Sequence, residues 1–481
     1  MEHYPVIIIG AGPAGLTAAY ELVKQGTLPL VIEQDNKVGG IARTEIYKGY
    51  RFDIGGHRFY TKVDEVQKLW LEVLSDDFIK VPRLSRIFYG GRFFNYPLDV
   101  FNTLTNLGIW ESFLIVLSYL KAKVSPIPNE KTFEEWVTNR FGERLYKTFF
   151  KTYTEKVWGI PCNEIQADWA AQRIKGLSLI TAVINALFGS NDTKTLIKEF
   201  DYPRLGPGMM WERFTEKIEE KGGKVLLNTS VTKLKRQGNR IISVITENEG
   251  KQVEYTADRV ISSMPVSALI KWMEPLPPQE VVAAAKGLKY RDFLIVSIII
   301  NTKDLFPDNW IYIHTPEVKV GRIQNFKNWS PEMLPDPNKT CLGMEYFCSV
   351  GDKLWEMSDA ELIKLATVEI DKLGLAKAVD VEDGVVIRQL KAYPVYDSEY
   401  RQHLQVIQGF VEQFENLQTV GRNGMHRYNN QDHSMLTGML AAENLLGSHH
   451  DLWDVNTERS YYEDFSAEEG KGKKQAAATS S

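Results

Sequence analysis

The chain has 481 residues, 43% hydrophobic and 25% charged, which calls for two or three domains of an ordinary globular protein. A net charge of -5 without a basic stripe argues against nucleic acid as a partner. Three cysteines, Cys162, Cys341 and Cys348, lack metal-ligand spacing and cannot all pair, which fits a reducing cytoplasm and no bound metal.

The first element carries the most information. Val6-Ile-Ile-Ile-Gly10-Ala11-Gly12-Pro13-Ala14-Gly15 runs a hydrophobic strand into a glycine turn and then a helix, Leu16 to Gln25. A second strand ends on Glu33, followed by Gln34. This is the spacing of a dinucleotide-binding βαβ unit. Gly10 permits the tight turn, Gly12 the approach of a pyrophosphate, and Gly15 close helix–strand packing. The helix N-terminus offers free N–H groups to phosphates, and Glu33 can accept the hydroxyls of an adenosine ribose. Because the chain enters a core strand at once, no signal peptide is expected. Val38-Gly39-Gly40-Ile41-Ala42-Arg43 then extends the phosphate cradle, and Asp53-Ile-Gly55-Gly56-His57 follows. An NAD site needs only the first unit, so the longer run favours FAD.

Further on, a helix is predicted from Val66 to Leu74, and a hairpin turning at Gly90-Gly91. Residues 99–200 carry helical periodicity, with Phe133, Trp136, Val137, Phe141, Tyr146, Phe149, Phe150 and Tyr153 suited to packed faces. Ile109–Leu120 and Leu177–Phe188 are apolar but shorter than the roughly 20 residues of a membrane span. Both read as buried helices; for the second, a surface-binding or substrate-covering role stays open, and with it peripheral membrane contact. A helix from Met209 to Lys221 leads into strands near Lys224, Val231 and Ala257. Runs such as Leu294–Ile300 predict an antiparallel sheet, Met435–Leu446 an apolar helix, and 466–481 a disordered tail. The expected architecture is α/β. A discontinuous FAD-binding Rossmann-like domain (1–75, 205–265, 400–450) carries an inserted helical domain (98–200). An antiparallel β-sheet substrate domain (76–97, 266–399) completes it.

These glycine motifs resemble the flavoprotein superfamily of amine oxidases, protoporphyrinogen oxidase and phytoene desaturases. The resemblance implies that Val231 meets the adenine through its backbone. It also implies that Gly421-Arg422 and Asp432-His433-Ser434-Met435 bring a helix N-terminus to the flavin pyrimidine.

A closer resemblance, over most of the chain, is to the UDP-galactopyranose mutase family. It rests on Gly55-Gly56-His57-Arg-Phe-Tyr-Thr61, on Tyr153-Thr-Glu-Lys156-Val-Trp158-Gly159 and on Val420-Gly-Arg422…Arg427-Tyr428…Asp432. It implies pyranose–furanose isomerisation of a nucleotide sugar, with reduced flavin N5 as nucleophile and NAD(P)H as an external reductant. Arg322 stands where that family has a diphosphate-binding arginine, and His57 lies beside the flavin; both are candidate catalytic residues. Trp158, Tyr153, Tyr393, His426, Asn429 and Arg173 are candidate substrate contacts. Plainer readings stand beside these: Trp158 and Tyr153 as core packing, His57 as a histidine bonded to its own turn. The sequence also departs from the family. His426 and Asn429 replace two tyrosines, and a mobile-loop arginine after Arg173 finds no counterpart, Lys175 being the nearest cation. The alternatives are an oxidoreductase acting on an amine or apolar substrate, and a flavin-binding partner without turnover.

Overall fold

In the computed structural model, residues 1–96, 98, 100–167 and 198–456 are described. Strand Glu2–Ile9 lies inside an eight-stranded sheet, parallel to Pro29–Ile32 on one side and Lys251–Ser262 on the other. Lys224–Leu226 and Leu417–Thr419 add further parallel strands, and Ser230–Gln237 and Arg240–Asn248 extend the sheet antiparallel. Val6 to Ile9 are all buried, as a strand covered on both faces requires. Helix Pro13–Lys24 packs on helix Gln431–Leu445 at Gly438, where a Cβ would fall 2.3 Å from the Ala14 carbonyl oxygen.

The second sheet runs Val381–Pro394, Tyr290–Ile300, Thr340–Cys348, Arg322–Asn325, Trp310–Ile313, Ser85–Tyr89, Arg92–Asn95. It is antiparallel as expected, except that Trp310–Ile313 pairs parallel with Ser85–Tyr89. Gly90 and Gly91, with φ of 55° and 76°, make the two-residue hairpin turn that needs positive φ at both positions. Strand alternation divides the sheet's chemistry. Leu294, Val296, Ile311, Ile323 and Met344 form a core on one face. The other face carries Phe293, Tyr312, Arg322, Gln324, Glu345 and Phe347. The substrate domain was expected to begin at 266, and here the structure corrects the boundary. Met273–Glu274 pairs with Ser230–Gln237, and Val266, Leu269 and Val281 share a core with Ile7 and Leu30. The first sheet therefore keeps the chain until about Tyr290, because an edge strand of two residues leaves no periodicity to read.

Helices Val100–Leu107, Ile109–Val124 and Phe133–Phe141 form the described part of the helical insert, with a helical path from Glu143 through Trp158. That path widens to a π turn over Tyr146–Lys151. Thr132 and Glu135 cap Phe133–Phe141 reciprocally. Phe133, Trp136, Val137, Phe141, Tyr146 and Phe149 are buried, as their spacing predicts. Helix Ile109–Val124 departs from expectation: only Ile115, Tyr119 and Ala122 are buried, and Trp110, Phe113, Leu117 and Leu120 are exposed. Its inward stripe is one residue wide, and the apolar run continues around the outer face. Among the described residues no helix is long and apolar enough to cross a membrane. Leu177–Phe188, Arg173 and the tail 466–481 lie outside the described residues.

Candidate functional site

A cavity of about 960 Å³ runs from the glycine turn of the first sheet, across the polar face of the second, into the helical insert. Its first part is a groove lined by Gly10, Gly12, Pro13, Ala14, Glu33, Gln34, Gly40, Ile41, Ala42, Arg43 and Val231. Gly10 has φ of +98° and Gly40 of +55°, and a Cβ on Gly40 would stand 3.5 Å from the Gly12 Cα. The two glycine turns leave space that side chains would fill. No side chain caps the start of helix Pro13–Lys24 among the described residues, so its first N–H groups face the groove. Glu33 Oε2 accepts from Ala11 N (2.7 Å) and Oε1 from Asp35 N (3.0 Å). Burial raises its pKa and these two N–H groups oppose the rise. Each oxygen keeps a lone pair for a ribose hydroxyl. The groove fits a dinucleotide.

Ala11 and Gly15 shape this turn from behind: a Cβ on Gly15 would lie 1.9 Å from the Gly10 carbonyl oxygen. Arg43 lines the groove but donates to Glu45 (2.7 Å), the Gly40 carbonyl (2.9 Å) and Gln389 (2.9 Å).

Where the groove meets the second sheet, Gly55, Gly56 and His57 form a turn against Arg322 and Gln324. A Cβ on Gly55 would sit 3.5 Å from Arg322 Nη2, and one on Gly56 3.1 Å from Gln324 Nε2. His57 Nε2 donates to the Ile54 carbonyl at 2.9 Å. Burial, with the Arg422 and Arg322 charges nearby, pushes its pKa down to about 4. The ring is neutral near pH 7.

Strand register then assembles the charge. Tyr312 pairs with Arg322, and Arg322 with Glu345, so three side chains stand abreast on one face. Arg322 Nε donates to Glu345 Oε2 at 2.6 Å, and Gln324 Nε2 donates to Oε1 at 2.7 Å. Burial alone would lower the Arg322 pKa; the Glu345 carboxylate overrides it, and the guanidinium stays charged.

Aromatic rings wall the space around this cation. Tyr393 stacks on Tyr428 at 5.6 Å, Tyr153 meets Tyr312 edge-on at 5.6 Å, and Trp158 lies 6.3 Å from Tyr393. All of them line the cavity. The loop Gly421–Asp432 closes it: Arg422 donates to the carbonyls of Asn429 (2.9 Å) and Ala392 (3.0 Å), and Asn429 Nδ2 to that of Gly421 (3.1 Å). Gly421, Arg422, Asn429, Asp432 and Ser434 also reach the cavity.

The chain matches the family of flavin-containing amine oxidoreductases over residues 13–446. It belongs to that family. The crystal structure of a reduced UDP-galactopyranose mutase shares the fold, with a TM-score of 0.82 over 94% of this chain and 98% of that one, at 22% identity. A probable UDP-galactopyranose mutase of Klebsiella pneumoniae is 26% identical over 182 residues, 35% of this chain and 44% of that protein. An inactive all-trans-retinol 13,14-reductase of Danio rerio is 46% identical over 54 residues, 11% of this chain and 9% of that protein. The chain thus spans less than half the length of these two curated relatives.

For a flavin-containing amine oxidoreductase, FAD is the dinucleotide that the groove is built to hold. Three expected contacts lie elsewhere. His426, at φ of +46°, is fully buried, turned edge-on to Tyr290 at 4.8 Å and away from the cavity. His433 points back along its own helix, where Nδ1 accepts from Asn430 N at 3.3 Å. Met435 enters the core, its sulfur accepting from Trp70 Nε1 at 2.8 Å. In both cases the first helical turn, not the side chain, faces the flavin groove. Tyr312, His314, Gln324, Glu345 and Tyr428 line or buttress the site without having been singled out. Tyr428 sits inside a quoted motif and Gln324 two residues from Arg322 on the same strand; Tyr312 and Glu345 are legible only through strand pairing.

Proposed function

We propose that this flavoprotein performs a redox-neutral pyranose–furanose isomerisation of a hexose joined to a diphosphate, a reaction of the UDP-galactopyranose mutase type. The supporting observation is Arg322 among the phenols of Tyr153, Tyr312 and Tyr393 in the cavity. Its Nε is taken by Glu345, and no acceptor engages its terminal nitrogens among the described residues. Guanidinium N–H groups and phenolic O–H groups converging on one space suit a polyoxyanion. A diphosphate there would be held as it separates from the anomeric carbon, which is leaving-group stabilisation by preorganised donors. Glu345 keeps the guanidinium in place without meeting the substrate itself. The uncharged His57 adds no second cation, and its Nδ1 can accept a hydrogen bond from a sugar hydroxyl. The aromatic wall excludes water that would capture the opened sugar. When bound in reduced form, the flavin supplies an electron-rich nitrogen nucleophile.

The test uses purified yellow protein reduced with dithionite or NAD(P)H and supplied with a hexose diphosphate ester such as UDP-galactose. Ring-contracted product that forms only with reduced flavin supports the reading. A second reading, net oxidation of an amine or apolar substrate, draws support from the apolar end of the cavity. Hydrogen peroxide formed from such a substrate, with no sugar isomerised, would decide for it.

A further inference from the structure

Beyond Tyr153 the cavity continues between the helices of the insert, where Leu104, Ile115, Phe133, Phe141, Leu145 and Phe149 form its walls. Four of them, Ile115, Phe133, Leu145 and Phe149, are 4% exposed or less, so the walls of this arm are predominantly apolar, with Thr103 beside Leu104 and His314 near Phe149 as polar groups at its margin. A nucleobase held there would leave most of its ring donors and acceptors facing hydrocarbon, with few polar side chains to offset the cost of desolvation. A hydrocarbon chain would meet no such penalty.

Where the arm ends gives a second, independent observation. Val116 lines the channel and is also 42% exposed, so channel and surface meet on helix Ile109–Val124. Around that point the helix shows Trp110 (71% exposed), Phe113 (52%), Leu117 (46%) and Leu120 (51%) to solvent. Lys121 and Lys123 follow in its last turn, and Glu111 is neutralised by Arg144 at 2.6 Å. Aromatic and aliphatic side chains on one face, with lysines at its end, suit the interface of an anionic bilayer.

We propose that the apolar arm holds the hydrocarbon of a lipid-linked sugar diphosphate, taken from a bilayer on which helix Ile109–Val124 rests. This deepens the isomerase reading and depends on it. The diphosphate stays at Arg322, and the group beyond it is a lipid instead of a nucleoside. The anomeric C–O bond breaks with its electron pair leaving on the phosphate oxygen, and that pair re-forms the bond after ring closure. The lipid is unchanged and no oxidant is consumed.

The test compares reduced full-length flavoprotein on UDP-galactose and on galactosyl farnesyl diphosphate in phosphatidylglycerol vesicles. The lipid substrate should show a kcat/KM about 100-fold higher, the equivalent of a few buried methylenes. A variant carrying Trp110→Ser, Phe113→Ser and Leu117→Ser, all outside the cavity walls, should stay yellow. It should sediment with vesicles about 10-fold less, as expected for a lost interfacial face. Equal or better turnover of UDP-galactose overturns the lipid proposal while leaving the isomerase intact. Failure to isomerise either sugar overturns the isomerase reading, and the lipid proposal falls with it.

Discussion

Arg322 and Glu345 face each other in register on neighbouring strands and share a 2.6 Å hydrogen bond from Nε to Oε2. Glu345 is fully buried, whereas the Arg322 side chain keeps 18% of its surface at the cavity. The carboxylate thus neutralises and aims a cation that lines the cavity. Removing it by Glu345→Ala strands that cation in a low-dielectric site, which should cost about 3–5 kcal/mol. Urea unfolding measures the loss. A change below about 0.5 kcal/mol, the size expected of an ordinary surface substitution, would show the pair to be incidental.

Truncating the cation itself tests binding, and because it leaves the Glu345 carboxylate buried without its counter-ion, urea unfolding should register a loss of about 3–5 kcal/mol as well. Arg322→Ala leaves the glycine groove untouched, so flavin content should match the parent protein. The kcat/KM for a sugar diphosphate should fall by a factor of about 100 or more, as expected when one buried, charge-assisted partner is lost. Arg322→Lys should recover little, because an ammonium cannot reproduce the Nε contact and the fork together. Undiminished kinetics in either variant would move the diphosphate site elsewhere.

The row Tyr312–Arg322–Glu345 also shows why part of the site was legible in the sequence and part was not. Arg322 was reachable through motif resemblance, and the Gly10–Gly15 turn through spacing, because both signals lie within a dozen residues of chain. Tyr312 and Glu345 join Arg322 only through the pairing of three strands. Nothing local marks a glutamate in the run Gly343-Met-Glu345-Tyr as a counter-ion. His426 illustrates the opposite failure: motif position suggested a replaced tyrosine, but a left-handed residue turns its side chain off the cavity side. The apolar run Ile109–Leu120 misled for a third reason, since hydrophobic content does not say which face a helix buries.

Histidines held below their ordinary pKa make stability sensitive to acid. Burial holds His57 and His426 at about 4 and His314 at about 3, all below the ordinary 6.5. Above pH 6.5 folded and unfolded chains both keep these rings neutral. Below it only the unfolded chain takes up protons, so stability present above pH 6.5 is lost as pH falls toward 4. His426→Asn, whose side chain tolerates positive φ, should recover roughly 2–3 kcal/mol of that loss at about pH 4.5 and change little at pH 7.5. Its KM should match the parent protein, because position 426 lies off the cavity. Asp53 works in the other direction: burial raises its pKa to about 7, so its contribution fades as pH rises through that value.

The Gly10–Gly15 turn owes its shape to close backbone approach, which makes its glycines the test of the dinucleotide groove. A Cβ at Gly15 would lie 1.9 Å from the Gly10 carbonyl oxygen and 3.2 Å from the Ile8 side chain. Neither neighbour can yield without displacing the turn that receives the pyrophosphate, so Gly15→Ala should purify without colour and unfold at lower urea. Gly26→Ala makes the matched control. It adds the same methyl at φ of +78° with nothing among the described residues within 4 Å, so it carries only local backbone strain of about 1 kcal/mol. That variant should remain yellow, with a modestly lowered urea midpoint. Absorbance near the flavin bands against protein concentration reads both, and a yellow Gly15→Ala would mean that the dinucleotide does not depend on this turn.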